Sequence, residues 1–305
     1  MNVVEKKEYF YSNHTGDAVM TVYKVFPGVE LVYNSVHMNH FNRGESTVGN
    51  YIEIHHCLEG RIEQEFDNGN LYLMPGDLSI AIRDKTMDSY IFPLHHYHGI
   101  TIAIDINVFP KCFSELLSDV FVQPLEVARR LCQTEPFFVL RGEKYIEHIF
   151  SEIYDAPEKG RIGYFKVKIM ELFLMLNKID LEQVKPANNS VPRSNVILAK
   201  EVAEFLSCNL NSHITILELA KQFNVSPTHL KNIFKDVYGT PIYKYVRVQK
   251  MQLAAQLLLN TNCTILQIAG DCGYTNSGKF SAAFKEVMGE TPFEYRKNHH
   301  NKEEM

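Results

Sequence analysis

The sequence predicts an α+β multidomain protein: a β-rich N-terminal domain with trailing helices, then an all-α domain. Three observations support this class. Residues 18–105 contain short alternating segments separated by Gly- and Asn-rich breaks, as in an all-β sandwich or barrel. Residues 108–179 change to helical periodicity. Residues 216–296 contain a helix-turn-helix pattern that occurs twice.

The second copy of this pattern, in residues 265–296, is the clearer one. A small apolar stripe recurs at i, i+3, i+4 and i+7 of a short helix: Ile265, Ile268, Ala269 and Cys272. Gly273 suits the left-handed position that ends a helix. Either Thr275 or Asn276 can then cap a second helix. A helix, a short turn containing Gly and a second helix predict a unit whose second helix enters the major groove of DNA.

The first copy lies about 50 residues earlier. Residues match at an offset of 49 before the turn and 50 after it, and the one-residue difference falls in the turn, where an insertion is best tolerated. The matching residues are Ile216, Leu219, Ala220 and Phe223, followed by Leu230, Phe234, Lys235 and Gly239. The chain is therefore predicted to contain two helix-turn-helix units in tandem.

Residues 195–297 resemble the C-terminal DNA-binding domain of AraC/XylS-type bacterial transcription regulators. The residues that carry the resemblance are Gly273-Tyr274, Phe280-Ser281, Phe284-Lys285, Gly289, Thr291-Pro292 and Tyr295-Arg296. The resemblance implies that a linker helix, here residues 242–259, joins the two units. It also implies a transcription regulator rather than an enzyme, with promoter DNA as partner, activation as the expected mode and RNA polymerase as partner of an activator.

The DNA-facing residues follow from the helix faces. Ser226 is the predicted N-cap of the first reading helix and Pro227 its first residue. The residues predicted to contact DNA are Thr228, Lys231, Asn232 and Lys235 in the first unit, Asn276, Ser277, Lys279, Ser281 and Lys285 in the second, and Arg247 between them. Because Asn can bond adenine bidentately and Lys can reach guanine, we expect the first unit to read bases. The second unit, with the short Ala282 at its centre, either reads from its helix start or mainly grips phosphate.

The N-terminal segments resemble the cupin-like effector barrel of many AraC-type regulators. Residues 51–66 form a strand, a break and a strand, and Pro75-Gly76 then occupy the central positions of a type II turn. The resemblance implies that a small-molecule effector binds inside this barrel. Residues 162–179 carry a wide apolar stripe, which either covers the barrel or forms a homodimer contact.

Histidines are the unusual residues of the predicted barrel. His56 shares a strand face with Ile52, Ile54 and Leu58, and His96 and His98 share one with Ile100, Ile102 and Ile104. If these faces line one interior, three imidazoles converge in an apolar cavity. The predicted effector site is therefore His56, His96, His98, Ile54, Ile100 and Ile102. His55, His95 and Cys57 lie on the opposite face and are not expected to take part.

Two interpretations of the histidines stay open. They are either ligand- or metal-binding groups, or core and strand-end residues with backbone or water partners. No cofactor or metal is predicted; His56, His96 and His98 are the candidates if a metal binds. If the histidines bind a metal, the alternative function is a cupin-type metal-dependent enzyme or metal sensor fused to a DNA-binding domain.

Length and composition fit this organisation. The 305 residues leave room for two domains: an effector-binding and dimerisation domain (1–182), a Pro-containing linker (183–194), a DNA-binding domain (195–298) and a tail (299–305). Residues 195–305 carry 12 basic and 10 acidic residues, whereas residues 1–194 carry 19 and 26. Attraction to DNA must therefore come from the placement of the basic residues rather than from net charge.

The sequence also argues against several classes of protein. No apolar run approaches the ~20 residues of a membrane helix, and the N-terminal residues lack the apolar core of a signal peptide. The six cysteines are scattered, without the spacing of a disulfide framework or a zinc site. We therefore expect a cytoplasmic protein with reduced thiols and no membrane partner.

Overall fold

A computed structural model describes residues 6–42, 48–66, 69–85, 89–109, 122–133, 137–181, 190–212 and 214–300. The chain divides into two compact units, Met1–Ser190 and Val191–Met305. This division falls inside the predicted linker 183–194, of which residues 183–189 lie outside the described part. Most of the predicted tail, residues 301–305, also lies outside it.

The N-terminal unit is built on antiparallel strands. One sheet has the strand order β1-β2-β3-β10-β5-β8-β11, and a second contains the order β7-β6-β9-β4. The strands are β1 (Lys6–Asn13), β2 (Gly16–Phe26), β3 (Val29–His37), β4 (His40–Asn42), β5 (Val48–Gly60), β6 (Ile62–Phe66), β7 (Gly69–Leu73), β8 (Leu78–Lys85), β9 (Ser89–Ile91), β10 (Tyr97–Asp105) and β11 (Phe137–Leu140). The predicted β-rich N-terminal region is confirmed, and β1 is an edge strand of the first sheet.

The turn before β8 has the predicted geometry. Gly76 has a φ of +85°, which the second central position of a type II turn requires. The backbone N–H of Asp77 donates to the carbonyl of Met74 at 2.9 Å and closes the turn. The Asp77 carboxylate accepts a bond from the Met74 N–H and forms an ion pair with Arg141, each at 2.9 Å.

Three helices cover one face of the first sheet: α1 (Pro124–Leu131), α2 (Lys144–Tyr154) and α3 (Arg161–Asn177). The apolar stripe of α3 is fully buried in the core between sheet and helices. Its members are Phe165, Ile169, Leu172, Phe173 and Leu176. Of the two roles left open for this stripe, the structure shows core packing.

The C-terminal unit is helical after a short strand, β12 (Ser190–Val191). Its helices are α4 (Arg193–Cys208), α5 (Ile216–Gln222), α6 (Pro227–Tyr238), α7 (Ile242–Asn260), α8 (Ile265–Asp271), α9 (Ser277–Met288) and α10 (Pro292–His300). Helices α5 and α6 form the first helix-turn-helix unit, α8 and α9 the second, and α7 is the predicted linker helix. The α+β class, with a helical C-terminal domain, is thus confirmed.

The two units begin their helices in the same way. Thr215 before α5 and Thr264 before α8 each form a capping box, with Glu218 and Gln267 respectively. The reading helices α6 and α9 start at Ser226 and Asn276, whose side-chain oxygens accept from His229 and Lys279 backbone N–H groups at 3.2 and 2.9 Å. Of the two caps considered for α9, the structure selects Asn276.

The two units also share their aromatic packing. The ring of Phe234 in α6 contacts Tyr245 edge-on, with centroids 5.3 Å apart and an interplanar angle of 75°. Fifty residues later Phe284 contacts Tyr295 at 5.4 Å and 79°. Edge-to-face pairs of this kind add to the stabilisation from burial. The repeat seen in the sequence is therefore a repeat of side-chain geometry.

The turn between α8 and α9 depends on Gly273. Its φ of +75° disfavours residues with a Cβ. A Cβ added there would lie 2.9 Å from the carbonyl oxygen of Asn211 and 3.0 Å from Nζ of Lys250. The equivalent residue of the first unit is Asn224, with a φ of +54°. Asn tolerates this region better than most residues do.

We expect Gly273→Ala to lower the free energy of unfolding of the C-terminal unit by about 1–3 kcal/mol, because it adds both strain and a backbone clash. The matched control is Gly270→Ala, three residues earlier, where an added Cβ meets no atom within 4 Å. This control should be neutral or stabilise the helix by about 0.5–1 kcal/mol. Urea titration of both variants measures the difference; equal effects would contradict the assignment.

The sequence also predicts reduced cysteines and the absence of a membrane-spanning helix. Cys57, Cys132, Cys208, Cys263 and Cys272 are free thiols, while Cys112 lies outside the described residues. Within the part of the chain that the structure covers, no helix has the length and apolar character needed to span a bilayer.

Candidate DNA-reading surface and N-terminal cavity

The reading helix α6 presents one polar face and one buried face. Leu230, Ile233, Phe234 and Val237 are at most 2% exposed and hold the helix against its neighbours. The opposite stripe is exposed and carries hydrogen-bonding or charged side chains: Thr228, Lys231, Asn232 and Lys235. The face predicted to contact DNA is therefore the face that the fold leaves accessible.

Helix α9 has the same division with shorter side chains. Phe280 and Phe284 are fully buried and Ala283 is nearly so. The predicted contact residues Asn276, Ser277, Lys279 and Lys285 are exposed, and Ser281 is half-buried. Because the Asn276 carboxamide oxygen caps the helix, its amide N–H groups are the part left to contact DNA.

Arg247 differs from the other predicted DNA contacts. It lies on α7, and its guanidinium forms an ion pair with Glu286 of α9. The Arg247 side chain is 33% exposed and that of Glu286 67%. The pair connects the linker helix with the second reading helix, a contact that the sequence pattern did not reveal. Arg247 is thus positioned by a carboxylate rather than fully extended toward solvent.

The N-terminal unit contains a cavity of about 560 Å³. Residues of both sheets line it, including Val32 of β3, Ala103 of β10 and Ile62 of β6. This volume is within the ~300–1,000 Å³ typical of small-molecule sites. Aromatic side chains form part of its wall: Tyr9, Tyr11, Phe41, Tyr51, Tyr90, Phe92 and Tyr97.

The cavity lies on the opposite face of the sheet from Ile54, Ile100 and Ile102, three of the residues predicted to bind the effector. Ile54, Ile100 and Ile102 are 0% exposed and pack in the core against helices α1–α3. His56 lies in the same layer, with its ring stacked on Phe150 at a centroid distance of 4.0 Å. Both faces of the central strands are buried, and the more apolar face takes the helices.

The three predicted histidines do not converge on the cavity. None of His56, His96 and His98 lines it. The ring of His98 lies edge-on to His37, with centroids 4.9 Å apart, and Nδ1 of His96 is 3.1 Å from the carbonyl oxygen of Leu94. Among the residues that the structure describes, no group of three or more His, Cys, Asp or Glu is placed to hold a metal ion.

The cavity instead contains a polar network that includes His55, a residue not expected to take part. His55 and Thr101 lie opposite each other on β5 and β10, and His55 Nδ1 is 3.1 Å from Thr101 Oγ1. Thr101 Oγ1 also accepts a bond from Asn34 at 3.0 Å. Glu53 Oε2 is 2.8 Å from Arg83 Nε and 3.6 Å from His55 Nε2. Burial, the largest single influence, raises the pKa of Glu53, but the neighbouring His55 and the Arg83 guanidinium outweigh it and lower that pKa below its ordinary value.

Comparison with known proteins identifies the C-terminal unit. Residues 219–298 match a family model described as a helix-turn-helix domain. The Msm operon regulatory protein of Streptococcus mutans is 25% identical over 274 residues, covering 86% of this chain and 89% of that protein. The C-terminal unit is thus an AraC-type helix-turn-helix domain, and the chain's relatives are AraC/XylS-type regulators. The predicted resemblance is therefore confirmed.

Other AraC/XylS relatives are matched over shorter stretches. The lactose operon transcription activator of Staphylococcus xylosus is 32% identical, over 33% of this chain and 36% of that protein. The bifunctional transcriptional activator/DNA repair enzyme AdaA of Bacillus subtilis is 28% identical, over 46% of this chain and 65% of that protein. The chain thus spans less than two thirds of the length of these two relatives.

The family model does not cover the cavity, since its match, residues 219–298, lies in the C-terminal unit. The cavity residues that sequence reasoning missed are Asn34, Glu53, His55 and Thr101. A signal was available in β5, where Glu53 and His55 alternate with Ile52 and Ile54 in the middle of the strand. Charged or polar residues at such positions indicate a lined cavity or a paired buried group.

Proposed function

We propose that the protein is a sequence-specific transcription activator that acts as a homodimer in the cytoplasm and responds to a small molecule bound in the N-terminal cavity. The observation that carries the proposal is the exposed polar stripe of α6, held outward by a buried apolar face in a duplicated helix-turn-helix fold. The homodimer and the contact with RNA polymerase rest on the family resemblance.

In this proposal α6 recognises base edges, whereas α9 mainly binds the phosphate backbone. Asn232 and Lys231 of α6 carry side chains that can bond base edges in the major groove. Helix α9 offers Lys279 and Lys285 beside small residues, a surface suited to phosphate. The two helices face the same side of the DNA and occupy major-groove segments about one turn (~34 Å) apart. Protection of a single groove segment in a footprint would count against this arrangement.

We expect Asn232→Ala to weaken binding to cognate DNA by about 1–3 kcal/mol and to relax base preference at one position, because a bidentate base contact is lost. Lys285→Ala should weaken cognate and random DNA alike and reduce the slope of log K against log salt by about one unit. Binding titrations at several salt concentrations, with both DNAs, measure these effects.

The matched control is Asn262→Ala, which removes an exposed asparagine outside both reading helices. Its affinity and base preference should equal those of the wild type. If Asn232→Ala lowers affinity while preserving base preference, α6 is a phosphate-binding helix and the proposed division of tasks fails.

The effector part of the proposal rests on the cavity and its buried polar network. A ligand regulates only if it binds two states of the protein with different affinity. Occupancy of the cavity must therefore change a property that DNA binding depends on, such as the association of two copies. Comparing DNA affinity with and without a ligand shown to bind the cavity tests this part separately from DNA recognition.

A further inference from the structure

We propose that the outer edge of β1 is the contact surface of the homodimer, where β1 of one copy pairs antiparallel with β1 of a second copy. The inference rests on the proposed function in taking the protein as a homodimer, and it names the surface that joins the two copies. Three features carry it: a long open strand edge, side chains that leave this edge unprotected, and a strand that is complementary to itself in one register.

Strand β1 ends the first sheet and pairs with β2 along all eight of its residues. Among the residues that the structure describes, no strand pairs with the other edge of β1. The edge strands elsewhere are shorter: β11, at the opposite end of the same sheet, has four residues, and β4, at an end of the second sheet, has three. A long edge offers a row of backbone donors and acceptors to a further strand.

The hairpin between β1 and β2 shows which backbone groups of β1 point away from β2. Asn13 and Gly16 flank the two-residue turn His14-Thr15 and lie opposite each other, so they form a hydrogen-bonded pair. Hydrogen-bonded and non-hydrogen-bonded pairs alternate along an antiparallel ladder. The outward N–H and C=O groups therefore belong to every second residue before Asn13, namely Ser12, Phe10, Glu8 and Lys6.

The side chains of β1 do not protect this edge. Natural proteins protect long edges with proline, with bulges or with charged side chains. Strand β1 contains no proline, and its register with β2 runs without a shift. Two of its charged side chains, Lys6 and Glu8, pair with each other at 2.7 Å. Phe10, in the middle of the strand, is 72% exposed. A further strand would cover part of this apolar surface.

One register satisfies the whole edge. In this register the two-fold axis passes between Tyr9 of one copy and Tyr9 of the other. Ser12 then lies opposite Lys6 of the second copy. Phe10 likewise lies opposite Glu8. All four outward residues of each copy are paired, which gives about eight backbone hydrogen bonds between the copies. A typical protein interface carries about 5–15 such bonds.

The neighbouring registers are less favourable. A shift by two residues in either direction loses one hydrogen-bonded pair of residues, and one of the two shifts places Glu8 opposite Glu8, where like charges repel. The central register instead brings the two Tyr9 rings together, and aromatic pairs directly opposite each other stabilise a sheet. Because each copy presents the same edge to the other, the pairing closes at two copies.

Proline substitution at Phe10 tests the backbone pairing. Its N–H points away from β2, so Phe10→Pro breaks no ladder bond inside one copy but removes a donor from each strand of the dimer. We expect the dissociation constant of the dimer, measured by sedimentation equilibrium of the full chain without DNA, to rise at least about tenfold. Phe10→Thr is the matched control, since it keeps the N–H and a high β propensity, and it should remain mainly dimeric. Thermal melting confirms that each variant is folded.

Cysteine crosslinking tests the register independently. Tyr9→Cys places two thiols at a non-hydrogen-bonded pair, where Cα atoms are about 4.5 Å apart and a disulfide can form. Lys6→Cys is the control, because its two thiols would lie about 20 Å apart along the strands. Mild oxidation should link Tyr9→Cys into a covalent dimer on a non-reducing gel, above the background from the native free thiols. Lys6→Cys should stay at that background.

The outcomes separate this inference from the proposed function. A wild-type protein that stays monomeric overturns both the β1 contact and the homodimer. A dimer that withstands Phe10→Pro, or a Tyr9→Cys link no stronger than that of Lys6→Cys, overturns the β1 contact alone. Val167, on α3, is 55% exposed, and Val167→Glu should leave the dimer intact. If this variant dissociates the dimer, the contact is helical and the β1 contact is overturned.

Discussion

Replacing Phe284 with alanine is expected to lower the free energy of unfolding of the C-terminal unit by about 3–5 kcal/mol. Phe284 is 0% exposed and belongs to the core that joins α7, α8 and α9. The substitution removes the edge-on contact with Tyr295 and leaves a cavity between the linker helix and the second reading helix. We expect DNA affinity to fall with stability, because α9 loses its support. Denaturant titration measures the stability, and DNA titration below the unfolding midpoint measures the affinity.

The control for this prediction is Leu266→Ala on α8. Leu266 is 67% exposed, so its truncation should change the unfolding free energy by no more than about 0.5 kcal/mol. Phe234→Ala should repeat the large loss, because Phe234 occupies the matching place in the first unit. A small effect at Phe284 with a large one at Phe234 would show that the two units are not equally dependent on their aromatic cores.

The N-terminal unit is expected to lose stability as the pH falls below about 6.5, and His56 is a main cause. Burial lowers the pKa of His56 to about 4, from an ordinary value of 6.5. The unfolded chain therefore binds a proton between these pH values that the folded chain does not. The stabilisation is fully present above pH 6.5 and is lost progressively toward pH 4. At pH 5 the loss amounts to about 2 kcal/mol, approaching about 3 kcal/mol at lower pH.

His56→Leu should remove this part of the pH dependence. The variant replaces the imidazole on Phe150 with an apolar side chain of similar size, and urea titrations at pH 7.5 and pH 5 would show a smaller difference than in the wild type. His148→Gln is the control, since the His148 side chain is 67% exposed. If His56→Leu and the wild type lose equal stability between the two pH values, His56 does not titrate as proposed.

The tandem helix-turn-helix units could be predicted from sequence because their determinants are local. Caps at Ser226 and Asn276, a positive-φ turn at Gly273 and apolar spacing within each helix are all short-range features. A helix has one buried face, so identifying it also identifies the exposed contact residues. The Arg247–Glu286 pair joins residues 39 positions apart, and no local pattern indicates such a contact.

The cavity could not be placed in the same way, because both faces of its central strands are buried. Alternation separated Ile54 from Glu53 and His55 correctly, but it did not say which face receives the helices. The three histidines beside isoleucines suggested a ligand or metal site. In the structure, the isoleucine face of these strands instead packs against helices α1–α3. Glu53, in the middle of β5, is a better indicator of the polar face, because a buried carboxylate needs a partner such as Arg83.

The linker helix also sets an angular relation between the two reading helices. The N-terminal half of α7 contacts α6 through Tyr245, and its C-terminal half, including Met251 and Leu258, packs against α8 and α9. With 19 residues, α7 is about 28 Å long, and each residue contributes about 1.5 Å and 100° of rotation. Inserting or deleting one residue in α7 would rotate one reading helix by about 100° relative to the other. The two helices could then no longer enter major-groove segments on the same side of the DNA. The single length difference between the two units lies outside α7, in the turns before α6 and α9.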